Sequence, residues 1–430
     1  MINKLKNIVN TEDKKRLLSN FFSLSLLQTF TYILPLLTLP YLVRVLGVDN
    51  FGLVMFAQAF IMFFNILVDY GFNLSATREI SVHRDNKERL TEIFSSVMSI
   101  KFILIIVSFV ILSVVVFSFE KFSSHWELYF LTFLMIIGQA LFPVWYFQGL
   151  ERMKYITIVN ITSKLIFTIA IFAFIQNEDD YMLVPLLNGL GFIVGGIYSL
   201  WIIHKHFYQK FIFQSKETIM IHFKDSSQFF LSRLAASIYT TANAFVLGLF
   251  TNNTMVGYYS IAEKLYMGLQ SLYGPIAQTL YPYVAKERNI SIFKKIFYSV
   301  ISVNIIGVTF LYFFGEFIFS LLFTQEIGLE SIKVFYILLV ANLMTVPSIL
   351  IGYPFLAALG YTKEANNSVV FGSLIYIFLV ISLVIFSEIS IYNIAYMIII
   401  TELFIFLYRT QKVIKYKLWS TIINNNNNNE

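Results

Sequence analysis

The chain has 430 residues, of which 57% are hydrophobic and only 13% are charged, and its formal net charge is +6. Soluble domains carry about 25% charged residues, so a chain this poor in charge cannot cover a water-facing surface. The solvent around most of it must therefore be lipid. The absence of cysteine excludes disulfides and thiolate chemistry, and five histidines are too few for a metal cluster to be expected.

Twelve stretches approach the roughly 20 apolar residues that a helix needs to cross a bilayer. Residues 1–16 are polar and basic, and the apolar run after them is too long for the core of a signal peptide, so we interpret it as the first span. Pro185 and four glycines make the sixth span the most ambiguous in the first half. The predicted fold is all-α, with spans at 18–42, 50–74, 92–118, 126–148, 156–176, 181–203, 226–250, 256–284, 295–322, 331–357, 367–387 and 391–410.

Basic residues are distributed unequally between the two sides that these spans define. Of the 31 lysines and arginines, 24 lie on the side of the termini, three lie on the opposite side and four lie within spans. Loops rich in Lys and Arg remain in the cytoplasm. The sequence therefore predicts an even number of spans with both termini cytoplasmic.

Two motifs recur at corresponding places in the two halves of the chain, which predicts six helices followed by six helices in a parallel repeat. Residues 45–57 resemble residues 246–262, and Pro143, Gly149 and Arg152 recur with the same spacings as Pro354, Gly360 and Lys363. We expect a cleft between the two bundles. The predicted domains are an N-terminal bundle at 1–203, a cytoplasmic linker at 204–225, a C-terminal bundle at 226–411 and a cytoplasmic tail at 412–430, whose asparagine tract at 424–429 is predicted to be disordered.

Several predicted spans contain charged or polar side chains, which are costly in a bilayer and usually face a cavity or a partner. Some share a helix face: Asn160 and Lys164 in span 5, Arg233 and Ser237 in span 7, and Ser25, Gln28 and Tyr32 in span 1. The predicted cleft site for substrate comprises Lys101, Lys164, Arg233, Lys264, Gln28, Tyr32, Asn160 and Ser237, with Asp69 and Glu263 as ion-coupling candidates.

These residues also admit structural explanations. Lys101 and Lys164 could form buried ion pairs that hold helices together, and Arg233 and Lys264 could extend to the membrane surface. If they are instead cations in a cavity, they suit an anionic ligand such as a diphosphate, because lysine binds phosphate as a point charge. The sequence contains no Walker A motif and no recognisable Ser-His-Asp arrangement, so we expect neither ATP hydrolysis nor an enzyme.

Motifs along nearly the whole chain resemble those of the O-antigen repeat-unit flippase (Wzx) family, in the polysaccharide-transporter branch of the superfamily that includes multidrug exporters. They are PLLTLPYLVRVLG at 35–47, DYGFNLSATRE at 69–79, WYFQGLERM at 145–153 and GYYSIAEK at 257–264, followed by Tyr281-Pro282-Tyr283. The resemblance implies two six-helix bundles and alternating access in a bacterial inner membrane. Its implied substrate is an undecaprenyl-diphosphate-linked oligosaccharide, moved from the cytoplasmic to the periplasmic leaflet with exchange of H⁺ or Na⁺ and without another cofactor.

The partners implied by this resemblance are the lipid-linked oligosaccharide, the bilayer, a polysaccharide polymerase and a chain-length regulator, with no nucleic acid. Two other classes remain open. A multidrug or cation antiporter of the same fold would favour acidic residues in the cleft. A membrane-bound sugar polymerase or ligase would need an extracytoplasmic catalytic loop, whereas the predicted external loops are short and nearly free of Arg and His.

Overall fold

A computed structural model describes residues 12–419 of the chain. Within that range it does not describe the side chains of residues 12–22, 24, 25, 231–233, 235, 236, 238–240 and 326. Every regular element between residues 12 and 419 is helical, since a helix satisfies its own backbone polar groups inside a bilayer. The predicted all-α membrane fold is confirmed, whereas the asparagine tract at 424–429 lies outside the described residues.

The chain divides into two compact units, one ending at Ser237 and the other beginning at Ile238. The first contains α1 (Glu12–Asp69), α2 (Phe72–Val82), α3 (Lys87–Ser118), α4 (Glu120–Ser123), α5 (Trp126–Ala140), α6 (Val144–Gly149), α7 (Met153–Phe174), a 3₁₀ turn (Glu178–Met182), α8 (Leu183–Phe207) and most of α9 (Lys216–Thr241). The second contains α10 (Asn243–Phe250), α11 (Asn253–Ser271), α12 (Gly274–Glu287), α13 (Ile290–Leu322), α14 (Gln325–Ile351), a π-helical turn (Gly352–Ala357), α15 (Thr362–Ile385) and α16 (Ile391–Lys415).

Each of the twelve predicted spans coincides with one or two of these helices. In the described part of the chain, nine stretches are long and apolar enough to cross a membrane. One of them, Leu26–Val82, contains most of the first predicted span and all of the second, with a kink between them where Gly47 has φ 72° and ψ 163°. The seventh and eighth spans fall on α9 to α12, which are not among these nine stretches. The helices are consistent with the predicted twelve-helix layout of a multi-pass membrane protein.

The outer faces of α3 and α13 carry large apolar side chains, whereas their inner faces combine apolar residues with small and polar ones. In α3, Phe102 and Phe117 are exposed and Ser96 and Ser108 are buried. Transmembrane helices favour this arrangement because acyl chains solvate large apolar groups, while small residues allow helices to approach one another. These faces therefore have the character of lipid-facing surfaces.

The sixth predicted span is a continuous helix, α8, despite its proline and glycines. Pro185 lies in the first turn, where the missing N–H has no intrahelical partner to lose. The glycines allow α8 to lie directly against α5 and α7. A Cβ atom on Gly196 would stand 2.7 Å from the Gly138 carbonyl oxygen of α5, and one on Gly195 would meet the Ser163 hydroxyl of α7. The residues that made this span ambiguous in sequence therefore serve close helix contact.

The division between the units falls within α9, beyond the predicted linker at 204–225. The start of α9 contacts the turn between α1 and α2, where the Tyr70 ring stacks between Phe223 and Phe230 at centroid distances of 4.5 and 4.9 Å. The Ser75 and Ser226 hydroxyls lie 2.7 Å apart. Aromatic stacking and a buried hydrogen bond thus attach the beginning of span 7 to the first unit.

The predicted tail from residue 412 begins inside the last helix, because α16 continues to Lys415. Beyond it, the Trp419 ring lies 5.3 Å from Phe297 and 5.6 Å from Phe355, and Phe355 stacks on Phe293 at 4.4 Å. This cluster lies in the main hydrophobic core of the second unit. Residues up to 419 therefore belong to the folded unit.

Candidate functional site

Helices α1 and α7 run side by side in the same direction, with a constant offset of 134 residues. The Thr157 hydroxyl donates to the Ser23 carbonyl at 2.8 Å, and the Tyr41 hydroxyl donates to the Ile175 carbonyl at 2.7 Å. The two bonds are 18 residues apart on each helix, about 27 Å at 1.5 Å per residue. They fix which residues of α1 and α7 lie at the same depth.

Four predicted site residues lie at similar depths along this helix pair. At an offset of 134, Lys164 lies level with residue 30, between Gln28 and Tyr32. Asn160 is one turn below Lys164 and donates to the Ile156 carbonyl of its own helix at 3.0 Å. The Gln28 Oε1 atom is buried without a hydrogen-bond partner, and half-buried Lys164 has no acidic partner among the described side chains. The structure thus places two of the predicted polar stripes at the same depth, and their assignment to the substrate site stays a prediction.

Lys101 and Asp69, which the sequence assigned to separate roles, face each other within the first unit. The Lys101 Nζ atom lies 3.8 Å from Asp69 Oδ1, and the two side chains are 6% and 13% exposed. Asn73 donates its amide to the same Asp69 oxygen at 2.7 Å. Separating a buried pair leaves a charge without compensation, which costs several kcal/mol. This contact corresponds to the ion-pair explanation considered for Lys101; its assignment to substrate binding stays a prediction.

Glu263 lies in a hydrogen-bond network that joins α10, α11 and α15. Its Oε1 atom accepts from the Asn243 amide at 3.2 Å and from the Tyr259 hydroxyl at 3.1 Å. Tyr376 donates to Asn243 Oδ1 at 2.7 Å, which orients the amide so that its NH₂ group faces Glu263. Sequence reasoning identified Glu263 alone, because Asn243 and Tyr376 come close to it only through helix packing. The position of Asn243 and Tyr376 deep inside predicted spans was the sequence signal that could have identified them.

The remaining predicted site residues are less closely grouped. Lys264 follows Glu263 on α11, is half-buried, and has no ion pair among the described side chains. Ser237 is the last residue of the first unit. The side chains of Ser25 and Arg233 lie outside those that the structure describes, so their assignment to the site stays a prediction.

Sequence reasoning missed Arg409, which the charge count placed with the C-terminal loop. Its guanidinium is buried, donating from Nε to the Ser368 hydroxyl at 2.8 Å and from Nη1 to the Ser348 carbonyl at 2.7 Å. Arg409 lines a cavity of about 550 Å³ in the second unit. Glu402, which sequence reasoning left without a role, lines the same cavity. The seven-residue spacing of these two charges on one helix face was a signal that could have linked them. Within the described residues, no group of three or more acidic or histidine side chains could hold a metal ion.

Comparison with known proteins identifies the family. A family model described as "Polysaccharide biosynthesis protein" matches residues 17–287. A protein of Escherichia coli (strain K12) named "Putative O-antigen transporter" is 32% identical over 274 residues, which are 64% of this chain and 66% of that protein. The match thus spans just under two thirds of that relative. A protein of Shigella dysenteriae with the same name is 28% identical over 315 residues, 73% of this chain and 79% of that protein.

Solved structures share the fold at low sequence identity. The lipid II flippase MurJ in an inward closed conformation has a TM-score of 0.73 and 17% identity, with 92% of this chain and 90% of that chain covered. A multidrug resistance MATE family transporter of the MOP superfamily, in an inward-facing conformation, has a TM-score of 0.70 and 15% identity, with coverages of 90% and 96%. The predicted resemblance is confirmed, and the chain belongs to the family described as "Polysaccharide biosynthesis protein".

Proposed function

We propose that this protein is a flippase that moves undecaprenyl-diphosphate-linked oligosaccharide repeat units, of O-antigen or capsule type, from the cytoplasmic to the periplasmic leaflet. The observation that carries this proposal is the 32% identity over 274 residues with the Escherichia coli protein named as an O-antigen transporter. The fold alone does not choose between substrates, because its structural neighbours include both a lipid II flippase and a multidrug transporter.

The polar side chains within the first unit support the movement of a hydrated headgroup. An oligosaccharide cannot enter the hydrocarbon core unaided, because its hydroxyl groups would lose water without a replacement. Gln28, Tyr32 and Asn160 offer such replacements, and Lys164 offers a positive charge to diphosphate oxygens. We assign the movement to alternating access, during which the lipid chain remains in the bilayer.

Glu263 is the better of the two candidates for coupling transport to H⁺ or Na⁺. Asp69 already has a cation, Lys101, at 3.8 Å, whereas the hydrogen bonds that Glu263 accepts come from the neutral donors Asn243 and Tyr259, and its chain neighbour Lys264 interacts with it electrostatically without forming a hydrogen bond to it among the described residues. A carboxylate solvated by neutral donors retains a negative charge that a proton or a sodium ion can neutralise. Exchange of that cation would then accompany each transport cycle.

The charge bias of 24 basic residues against three supports an orientation in the bacterial inner membrane with both termini cytoplasmic. A periplasm-active phosphatase fused after Leu418 should therefore be inactive, and a fluorophore that matures only in the cytoplasm should be bright there. An active phosphatase would contradict the orientation without testing the substrate.

The test of function is deletion of the gene from its host, followed by complementation with the wild-type gene. We expect lipid-linked repeat units to accumulate facing the cytoplasm and surface polymer to disappear, with both defects reversed by complementation. Persistent polymer in a strain without a second flippase would contradict the proposal. If that strain also became drug-sensitive, the antiporter alternative would be favoured.

A further inference from the structure

The cavity of about 550 Å³ lies entirely within the second unit, between α11 and α12 on one side and α14, the π-helical turn and α16 on the other. Its volume falls within the roughly 300–1,000 Å³ range of small-ligand sites. Ile349 and Ile405 supply apolar walls. Besides Thr345 and Ser348, the polar side chains that line it are Gln270, Gln278, Tyr281, Tyr353, Glu402 and Arg409.

Arg409 is held firmly at the wall of this cavity. It is 7% exposed, and its bonds to Ser348 and Ser368 connect α16 to α14 and α15. A Cβ atom on Gly352 would stand 2.7 Å from Arg409 Nη1, so the absence of a side chain at 352 leaves room for the guanidinium. Gly352 also begins the π-helical turn, a type of helix irregularity that is frequent at functional sites. The backbone is thus shaped around this arginine.

The cavity carries one formal positive charge, on Arg409, and one formal negative charge, on Glu402. The Glu402 carboxylate would repel a phosphate, and the Arg409 guanidinium would repel a protonated amine, so neither ligand suits the whole cavity. The Gln270 and Gln278 amides add both donors and acceptors. A neutral polyol complements this set, because each hydroxyl group donates and accepts a hydrogen bond.

Two tyrosines add the surface that a sugar ring requires in addition to hydrogen bonds. Tyr281 and Tyr353 line the cavity and are 44% and 50% exposed. The Tyr353 hydroxyl donates to Asn366, which fixes its ring. One face of a pyranose ring consists mainly of C–H groups, and a tyrosine provides an apolar ring with a polar tip against which such a face can lie.

We propose that this cavity is a sugar-binding subsite, which holds one or two neutral residues of the oligosaccharide during transport. The proposal rests on the flippase function and adds to it a place where the identity of the sugar is read. The amides and tyrosines of this cavity would serve the sugar and not the diphosphate.

The test measures binding to the purified full chain in lipid nanodiscs by calorimetric titration. One probe is the repeat-unit oligosaccharide released by mild acid from the lipid carrier of the source strain, and the other is inorganic diphosphate. Gln278→Leu and Tyr281→Leu should each raise the Kd for the oligosaccharide about tenfold, since each loses an interaction of the size of one good hydrogen bond. Their affinity for diphosphate should remain that of the wild type.

Thr279→Val is the matched control, because Thr279 is exposed beside Gln278 on α12 and its hydroxyl bonds only to the Pro275 carbonyl of its own helix, at 2.7 Å. It should bind both probes normally. Wild-type oligosaccharide affinity in Gln278→Leu and Tyr281→Leu would overturn the proposal, as would an equal loss of diphosphate affinity. If gene deletion leaves the lipid-linked units unaffected while sugar binding still requires Gln278, the flippase proposal is contradicted and the sugar-binding proposal is supported.

Discussion

The two units surround their intramembrane carboxylates with different chemistry. In the first unit, Asp69 lies 3.8 Å from the Lys101 ammonium, so the pair carries no net charge. In the second unit, Glu263 accepts hydrogen bonds from the neutral groups of Asn243 and Tyr259. The first arrangement is suited to holding helices together, because either charge is costly to bury without the other. The second leaves a negative charge that can exchange a cation.

A cavity in the first unit and a cavity in the second unit also differ in the polarity of the side chains that line them. The cavity of about 700 Å³ in the first unit is lined mainly by apolar side chains such as Phe94, Met98 and Phe102. The smaller cavity of the second unit is lined by amides, phenols and the Glu402 and Arg409 charges. An apolar cavity suits lipid chains, and a polar one suits hydroxyl groups. The carboxylate proposed for ion coupling and the subsite proposed for the sugar therefore both lie in the second unit.

The largest expected effect is on the stability of the first unit. Lys101→Met should lower the free energy of unfolding by about 3–5 kcal/mol, because it leaves Asp69 buried without its cation. Thermal unfolding of the purified protein in detergent measures this change. The double variant Lys101→Met with Asp69→Asn should recover much of the loss, since the unpaired charge is then gone.

Lys164→Met is the matched control for that prediction, since Lys164 has no acidic partner among the described side chains. It should unfold close to the wild-type temperature while impairing export of surface polymer. Wild-type stability in Lys101→Met would show that the Asp69–Lys101 contact does not hold the unit together. Normal export of surface polymer by Lys164→Met, at equal protein level, would show that Lys164 is not part of the substrate site.

The next largest effect concerns coupling in the second unit. Glu263→Gln should preserve the fold, because a glutamine oxygen can still accept from Asn243 and Tyr259, but it should reduce the dependence of transport on the ion gradient about tenfold. Flipping of a fluorescent lipid-linked saccharide in proteoliposomes, with and without a H⁺ or Na⁺ gradient, measures this dependence. Asp69→Asn combined with Lys101→Met should retain it. If transport by Glu263→Gln still depended fully on the ion gradient, this carboxylate would not be the group that couples transport to the ion.

The smallest expected effect tests the alignment of α1 and α7. Tyr41→Phe removes the hydrogen bond to the Ile175 carbonyl and should lower the free energy of unfolding by about 1 kcal/mol. Equilibrium unfolding in detergent measures the change. Tyr396→Phe in the second unit is a useful control, because Tyr396 is 52% exposed. Equal stability of the two variants would argue against the alignment that sets Gln28, Tyr32 and Lys164 at the same depth.

The sequence alone determined that this protein is surrounded by lipid, which of its segments are helical and to which family it belongs. The scarcity of charge and the lengths of the apolar runs require a membrane fold, because backbone groups in lipid must bond within their own helix. All twelve predicted spans therefore coincide with helices. The position of Lys164 within an apolar run likewise marks it as a candidate without any structure, because an isolated charge in lipid is costly.

Only the tertiary structure decided which polar residues are partners. Asp69 and Lys101 are 32 positions apart, and Asn243 and Tyr376 are 133 apart, so no helical periodicity connects them. Arg409 looked like a loop cation because it is near the end of α16, and its burial depends on Ser348, Ser368 and the space beside Gly352. Local sequence fixes how deep a residue lies along its own helix. Which neighbour meets it depends on packing between helices, and that packing decides whether a buried charge is neutralised or left available to a ligand.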